Sequence, residues 1–258
     1  MPKLPDISGS YDRYIASGLY DRRYPHPNRR TLGKMKRCLP AGGRFLDVGA
    51  GTGRYTLPLL QVKGTRAVAH DICPVARKTL AERLGKFVGD ERLVIRGDDM
   101  DALAADHPRA FDLGLLAFGV LAHIARRKER LHLLRAIRSM LKADGTLILS
   151  VPNARRRFRA EQRTSAPLVH AGTLEPGDIL YKRGQDNGEI RLFYHLYTLP
   201  EVRGDLAEAG FRVTSVRAES LLSERAVVRD PLVGWLDAAA CRVALASMGY
   251  DLLAIARP

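Results

Sequence analysis

The stretch that decides the fold is RFLDVGAGTGRYTLPLL, residues 44–60. Its first part is apolar and favours a β-strand, and its last part favours a helix. Between them Gly49, Gly51 and Gly53 alternate with small residues, and Asp47 stands two positions before the first glycine. A strand, a bare turn and a helix in this order bring main chain close to a ligand, because glycine has no side chain to hold it away.

Outward from this stretch, apolar segments alternate with amphipathic ones. Six further strands are predicted, at residues 66–71, 92–97, 111–118, 146–151, 211–218 and 250–256. The intervening patterns predict helices, at residues 74–84, 127–141, 200–209 and 231–247. Such alternation is typical of an α/β fold in which helices cover both faces of a parallel sheet. We therefore expect a doubly wound, mainly parallel seven-stranded sheet.

Two segments do not follow the alternation. Residues 1–40 are rich in tyrosine and arginine and are expected to form a helical cap segment beside a main domain over residues 41–258. Residues 152–198 interrupt that domain and are expected to form an inserted cap. Within it Asn187-Gly188 separates two β-prone runs, which predicts a hairpin over residues 178–197.

Composition limits the classes of protein. The chain has 258 residues and a formal net charge of +14, from 42 basic and 28 acidic side chains. A basic surface attracts phosphates, nucleic acid or anionic substrates. No apolar run is long enough to span a membrane, and the first residues lack the apolar centre of a signal peptide. Three distant cysteines fit no zinc spacing and indicate a reducing compartment, so we expect a cytoplasmic protein with no metal site.

The glycine turn resembles motif I of the class I S-adenosylmethionine (SAM) methyltransferases. A dinucleotide fingerprint, G-x-G-x-x-G, would need a glycine where this chain has Arg54. The pattern D-x-G-x-G-x-G instead matches the methyltransferase motif. The resemblance implies that SAM is the cofactor, and that these residues surround its amino-acid end: Asp47, Gly49, Ala50, Gly51 and Gly53.

Three later segments extend this resemblance over residues 44–153. The HDIC segment places Asp71 and Ile72 after the second strand, where the family binds the ribose hydroxyls. Asp98, with Asp99 as its neighbour, follows the third strand and matches the acid that accepts from the adenine amino group. Ala117 and Phe118 end the fourth strand. The resemblance also implies an enzyme, and a last strand that runs antiparallel to the others.

The methyl acceptor must be bound by residues outside these motifs. The candidate catalytic residues are His123, after the fourth strand, and Tyr194 and His195 in the FYHLYT segment. Strand alternation places His195 and Tyr197 on one face and Tyr194 on the other. The candidate substrate-binding residues are Tyr20, Tyr24, Tyr197, Arg155 and Arg156. The arginines belong to ARRRFR, which we expect to be too highly charged to be buried.

These features leave three functional hypotheses. The first is methyl transfer to an oxygen, nitrogen or carbon atom of a small, anionic or aromatic metabolite. The second is a tRNA-modifying enzyme, because YDRYIASGLYDRRYPHPNRRTL and YHLYTLPEVRGDLAEAGF resemble segments of the tRNA wobble-uridine carboxymethyl methyltransferases. The third is a non-catalytic SAM-binding subunit that acts with a partner. The sequence does not decide the oligomeric state.

Overall fold

The centre of the structure is a seven-stranded sheet. The computed structural model describes residues 6–183 and 190–258. The strands of the sheet are β1 (Arg44–Val48), β2 (Arg66–His70), β3 (Leu93–Arg96), β4 (Phe111–Leu116), β5 (Leu141–Pro152), β8 (Arg212–Ser220) and β9 (Asp251–Arg257). Their order is β3-β2-β1-β4-β5-β9-β8. The first five pair in parallel, whereas β9 runs antiparallel to β5 and β8. The predicted doubly wound fold is confirmed.

Helices connect the strands and cover the sheet. They are α1 (Ile7–Ala16), α2 (Leu19–Arg23), α3 (Arg29–Cys38), α4 (Thr56–Leu60), α5 (Pro74–Arg83), α6 (Gly85–Gly89), α7 (Met100–Asp106), α8 (Arg127–Met140), α9 (Arg159–His170), α10 (Leu199–Glu208), α11 (Glu224–Arg229) and α12 (Pro231–Ala240). Short 3-10 helices lie at Leu121–His123 and Ala246–Met248. Local chemistry sets several ends. Thr198 and Glu201 form a capping box at α10, and Pro74 occupies the first turn of α5.

Both faces of the sheet are buried. In β1, Leu46 and Val48 pack into a core shared with α8, α10 and the hairpin. Phe45 points the other way, into a core shared with α3, α4 and α5. A central parallel strand is covered on both faces, so it is apolar throughout. This explains why the polar Asp47, in the middle of β1, is exceptional.

Some predicted boundaries were wrong. The helix predicted to end at residue 141 ends at Met140, and β5 begins at the next residue. Leu141 already pairs with Phe111 of β4, and the register between the two strands shifts after this pair. The helix predicted over residues 231–247 ends at Ala240, and turns and a short 3-10 helix follow. Helix α9 was not predicted, because it contains Pro167 and few large apolar residues.

The two interrupting segments pack against each other. Strands β6 (Asp178–Arg183) and β7 (Ile190–His195) pair antiparallel and stand apart from the main sheet. The predicted turn at Asn187-Gly188 and residues 1–5 of the predicted cap segment lie outside the described residues. Helix α1 lies beside β7, where the Ser10 hydroxyl donates to the Arg191 carbonyl at 3.0 Å. The Asp12 carboxylate also accepts from the Val75 N–H at 3.2 Å, so α1 joins the hairpin to α5.

Within the described part of the chain, every helix is too short or too polar to cross a membrane.

The contact of Gly53 with α5 yields a stability prediction. Gly53 has a φ of +88°, and a Cβ at this position would lie 2.6 Å from Leu80 Cδ1. We expect Gly53→Ala to lower the free energy of unfolding by about 2–4 kcal/mol, from left-handed backbone strain and overpacking together. Urea unfolding measures this loss. The matched control is Gly85→Ala in α6, where an added Cβ has no described neighbour within 4 Å. Equal stability of the two variants would contradict the packing role.

Candidate active site

The glycine turn is tied to the end of β2. The Gly49 and Ala50 N–H groups both donate to the His70 carbonyl, at 2.8 and 3.1 Å. The Gly51 N–H donates to Asp71 Oδ2 at 2.8 Å. All three glycines have positive φ, between +57° and +88°. These bonds hold the bare main chain beside the tip of the neighbouring strand.

The three glycines have different structural roles. A Cβ on Gly49 would lie 2.4 Å from Val120 Cγ2, and Gly53 is equally close to α5, so both permit close packing. A Cβ on Gly51 would have one described neighbour within 4 Å, the Tyr20 hydroxyl at 3.8 Å. Gly51 is therefore the glycine whose missing side chain leaves room for a ligand.

A cavity of about 370 Å³ opens at this point. It lies beyond the carboxyl ends of β1, β2 and β4, where the strand order reverses and ligands of doubly wound sheets bind. Six predicted cofactor-binding residues line it: Gly49, Gly51, Asp71, Ile72, Ala117 and Phe118. Its wall also includes residues that the sequence analysis missed, among them Tyr11, His70, Met100 and Glu129. Of these, His70 is the last residue of β2, so the strand-end rule could have found it.

Asp71 has two functions in the geometry. Its Oδ2 accepts from Gly51, and its Oδ1 accepts from the Cys73 N–H at 2.9 Å. The carboxylate is buried and forms part of the cavity wall. Each carboxylate oxygen has a further lone pair, so the side chain can shape the loop and still accept a hydrogen bond from a ligand.

Five predicted cofactor-binding residues do not line the cavity within the described structure: Asp47, Ala50, Gly53, Asp98 and Asp99. Asp47 is buried below the turn, where its Oδ2 accepts from the Thr56 hydroxyl at 2.7 Å. Burial raises the pKa of Asp47 to about 7. The Asp98 carboxylate turns to Arg96, whose hydrogen bonds lower the pKa of Asp98 to about 2. Asp99 caps α7 by accepting from the Asp101 and Ala102 N–H groups.

A second, small cavity of about 30 Å³ adjoins the first. Tyr11, Tyr20 and Phe118 line both cavities and form the wall between them. Its other lining residues are tyrosines and charged or small groups: Tyr14, Tyr24, Tyr181, Tyr194, Gly119, Ser150, Arg157, Glu219, Glu224 and Asp251. Phe118 has a φ of +63°, a strained value for a bulky residue. Its N–H donates to the Ser150 hydroxyl at 2.6 Å, which helps to hold that conformation.

His123 lies in the wall of the larger cavity. Its Nδ1 is 3.0 Å from the Phe193 carbonyl oxygen, which can only accept, so Nδ1 carries the proton. Its Nε2 then accepts from the Tyr11 hydroxyl, at 2.5 Å. Burial lowers the pKa of His123 to about 3, so the ring stays neutral near pH 7. His123 thus holds Tyr11 in the shared wall, and its accepting nitrogen is already used.

Tyr194 lies where the sequence analysis expected an acceptor contact. Its ring stacks on His123, with centroids 4.4 Å apart, and on Tyr181, with centroids 5.3 Å apart. It lines the small cavity, and its hydroxyl lies beside Gly119, where a Cβ would approach to 2.5 Å. The tyrosine-rich wall therefore comes from the N-terminal helices and the hairpin together.

His195 does not reach either cavity within the described structure, which contradicts its expected role as a base. It is fully buried, with Nδ1 2.7 Å from Asp178 Oδ1 and Nε2 2.7 Å from Glu201 Oε1. Burial lowers its pKa, but the two carboxylates outweigh burial and raise it overall. Both ring nitrogens face carboxylate oxygens, an arrangement that favours the protonated ring, and His195 joins the hairpin to α10. Strand alternation was right: Tyr194 faces the cavity and His195 faces away.

The candidate substrate-binding residues also fall into two groups, those that line a cavity and those that do not. Tyr20 and Tyr24 line the small cavity. Tyr197 is buried against His195, and Arg155 and Arg156 are exposed. The expectation that the ARRRFR segment stays unburied is wrong for Arg157, whose side chain is 11% exposed. Its guanidinium pairs with Asp251 at 2.6 Å, and this ion pair makes burial possible.

Comparison with known proteins places the chain in a family. Residues 20–216 match the family described as "Methyltransferase domain". The chain belongs to this methyltransferase family. A ubiquinone biosynthesis O-methyltransferase from Xanthomonas campestris pv. campestris is 32% identical over 128 residues. That match covers 50% of each chain, so the chain spans about half the length of the curated relatives it matches.

Solved structures share the fold of this methyltransferase. A Burkholderia thailandensis 1,6-didemethyltoxoflavin-N1-methyltransferase with bound S-adenosylhomocysteine is 21% identical, with a TM-score of 0.58, over 96% of this chain and 87% of that one. A Haloferax volcanii putative methyltransferase in complex with the Trm112 activator is 18% identical, with a TM-score of 0.60, over 99% and 97%. The [4+2]-cyclase SpnF reaches 0.64 at 16% identity, over 99% and 97%. Such similarity shows the class I fold and no substrate.

The cofactor of this methyltransferase is SAM, and the larger cavity fits it. The cavity has the volume of a cofactor-sized ligand, and its turn leaves at Gly51 the space that a side chain would fill. Gly49, Gly51 and Asp71 would hold the amino-acid and ribose parts, and Ile72 and Met100 offer apolar contacts.

The open space at Gly51 predicts a selective loss of cofactor binding. Gly51→Ala places a methyl group in the cavity and should weaken S-adenosylhomocysteine (SAH) binding by about tenfold or more, which is about 1.4 kcal/mol. Calorimetric titration measures the affinity. The matched control is Gly172→Ala, which has a similar φ of +68° and no described neighbour within 4 Å. Both variants bear the left-handed strain, so equal SAH affinities would refute a cofactor contact at Gly51.

The buried ion pairs of His195 predict a structural phenotype. His195→Ala leaves the buried Asp178 carboxylate without its partner and should cost about 3–5 kcal/mol of unfolding free energy. Because the pKa of His195 is raised, its stabilisation is complete below about pH 6.5 and is lost as pH rises through the folded-state pKa. Urea unfolding across pH tests both points, with the exposed His26→Ala as control. A stable His195→Ala protein that fails to turn over would instead restore a catalytic role.

Proposed function

We propose that this protein transfers the methyl group of SAM to an oxygen or nitrogen atom of a small aromatic metabolite. The observation that supports it is the wall of Tyr11, Tyr20 and Phe118 between the cofactor cavity and the small cavity, against which an aromatic ring can pack. The Xanthomonas relatives are named O-methyltransferases, which supports oxygen, and the Burkholderia enzyme is named an N1-methyltransferase, which supports nitrogen.

The chain's own part in such a reaction is positioning and exclusion of water. When bound, SAM supplies an electrophilic methyl group on its sulfonium sulfur. Tyr11, held by His123, and Phe118, held by Ser150, form a rigid boundary against which an acceptor can be oriented. Correct orientation and desolvation together can supply a large part of the rate of a displacement reaction. We propose that His123 positions Tyr11 and does not take the acceptor's proton, which passes to solvent as SAM becomes S-adenosylhomocysteine.

We also propose that the two interrupting segments act as an acceptor cap. The tyrosines of the small cavity come from α1, α2 and the stretch after α2 on one side, and from β6 and β7 on the other. The cap is anchored by charges that lie away from the cavity. His195 binds Asp178 and Glu201, and Arg130, which is 1% exposed, pairs with Glu175 at 3.1 Å.

The competing hypotheses receive less support from this geometry. A tRNA enzyme needs cations spread over a broad face, and Arg155 and Arg156 are exposed as that hypothesis expects. However, the cavity beside the cofactor site is small, and six tyrosines and Phe118 form much of its lining. An anionic acceptor would face three carboxylates in that cavity, so the aromatic form of the metabolite hypothesis is the one we retain.

Turnover of labelled SAM tests the proposal. The protein is incubated with small phenols, catechols and aromatic amines, and separately with bulk tRNA, and SAH formation is measured. We expect turnover of a small aromatic compound. Tyr24→Leu, at a residue that lines the small cavity and not the larger one, should raise the acceptor KM by about tenfold, the effect of a lost aromatic contact of 1–1.5 kcal/mol. The SAM KM should not change.

The control separates the two substrate classes. The double variant Arg155→Ala/Arg156→Ala removes exposed cations and should leave small-molecule turnover unchanged. Methylation of tRNA that falls steeply with salt and is lost in this variant would replace the metabolite hypothesis. SAH binding without turnover of any acceptor would favour the non-catalytic subunit.

A further inference from the structure

We propose that the small cavity binds an ammonium group carried by the methyl acceptor, with Glu224 as its direct partner. The inference rests on the proposed function, because it names the charge of the same acceptor. The ammonium is an anchor and not the nucleophile, since a protonated amine has no lone pair. The methylated atom therefore lies elsewhere on the acceptor.

The first reason is the balance of charge around the cavity. Glu219, Glu224 and Asp251 are all buried, and their carboxylate oxygens lie within 4.8 Å of one another. Arg157 pairs directly with Asp251, and Arg54 lies close enough to lower the pKa of Glu224. When all three carboxylates are ionised, they exceed these two guanidinium groups by one negative charge. A monocation completes the balance.

The second reason is an unused acceptor atom. Glu219 Oε1 accepts from the Thr31 hydroxyl at 2.5 Å, and Asp251 accepts from Arg157. Glu224 Oε2 accepts from Asn28 Nδ2 at 3.3 Å, but its Oε1 has no hydrogen-bond partner among the described residues. Glu224 is 4% exposed and lines the cavity. An unpaired oxygen on a buried carboxylate is costly, so Glu224 Oε1 is an acceptor atom that a ligand's N–H group could use.

The third reason is the size and the wall of the cavity. A volume of about 30 Å³ is enough for one small polar group such as an ammonium. Tyr20, Tyr24 and Phe118 present aromatic rings, which attract cations. The Arg54 guanidinium already lies 3.7 Å from the Phe118 ring centroid, so this ring accepts a cation on one side.

The titration of Glu224 adds a pH dependence. Burial and the nearby Asp251 raise the pKa of Glu224 to about 7, against the opposing effect of Arg54. Burial and Glu224 raise the pKa of Glu219 well above its usual range. The charged or titratable groups around Glu224 are Glu219, Asp251, Arg54, Arg157 and Tyr55. Because the ionised carboxylate binds the cation, affinity should rise several-fold between about pH 6 and pH 8.

Two probes with the same ring and the same two-carbon side chain, but with terminal groups of opposite charge, test the proposal. Tyramine and 3-(4-hydroxyphenyl)propanoate share a phenol ring and a two-carbon side chain, ending in an ammonium and a carboxylate. Each is titrated by calorimetry into the wild-type protein saturated with SAH, and the thermal midpoint is recorded. We expect tyramine to bind about tenfold or more tightly than the propanoate. Glu224→Gln should lose this preference while SAH affinity is unchanged.

The controls make each outcome decisive. Glu208→Gln removes an exposed acid on α10 and should keep the wild-type preference. Glu219→Gln tests the same charge if Glu224→Gln does not fold. The proposal is overturned if the propanoate binds as tightly as tyramine, if neither probe binds, or if Glu224→Gln retains the preference. A thermal shift with Mg²⁺ or Mn²⁺ that EDTA reverses would assign the acids to a metal ion instead. Failure to bind SAH would overturn the proposed function itself.

Discussion

The structure depends on how the chain leaves β1. At this point the strand order reverses, because β2 lies on one side of β1 and β4 lies on the other. The chain must turn from strand to helix without filling the crevice between them. Left-handed backbone at Gly49, Gly51 and Gly53 makes this turn possible, and hydrogen bonds to His70 and Asp71 hold it. The cofactor cavity is the space that this turn leaves open, and every other site residue is placed around it.

The second level of organisation is the division of that space. Tyr11, Tyr20 and Phe118 separate a large cavity from a small one, and each is fixed by a neighbour. His123 holds Tyr11, Ser150 holds the strained backbone of Phe118, and Tyr20 packs edge-on against Phe118 with centroids 6.3 Å apart. Aromatic rings bring large contact area with few rotatable bonds, so they can form a rigid wall between two ligands. Residues that border this wall belong to the binding site, and residues that point away from it belong to the core.

The net charge of the chain is positive, whereas the small cavity is rich in acidic groups. The whole chain carries a formal charge of +14, which favours anionic partners at the surface. The small cavity nevertheless contains three buried carboxylates, and their raised pKa values reflect their removal from water. Surface charge acts through solvent and is screened within about 10 Å, whereas buried groups interact with little screening. The composition of the chain is therefore a poor guide to the charge that its acceptor site recognises.

The sequence by itself determined the sheet, the glycine turn and the strand-tip Asp71, because these depend on local spacing and on the alternation of strand and helix. It could not determine which side chains reach a cavity. His195 and Tyr194 are adjacent and equally suited to catalysis, but they lie on opposite faces of β7. His195 therefore binds buried carboxylates, whereas Tyr194 lines the small cavity. Asp98 follows its strand as the family pattern requires, but Arg96 captures its carboxylate. No sequence pattern marked Glu219, Glu224 or Asp251 as residues of the site. They come from β8, α11 and β9, and only the packing of these elements brings the three acids together.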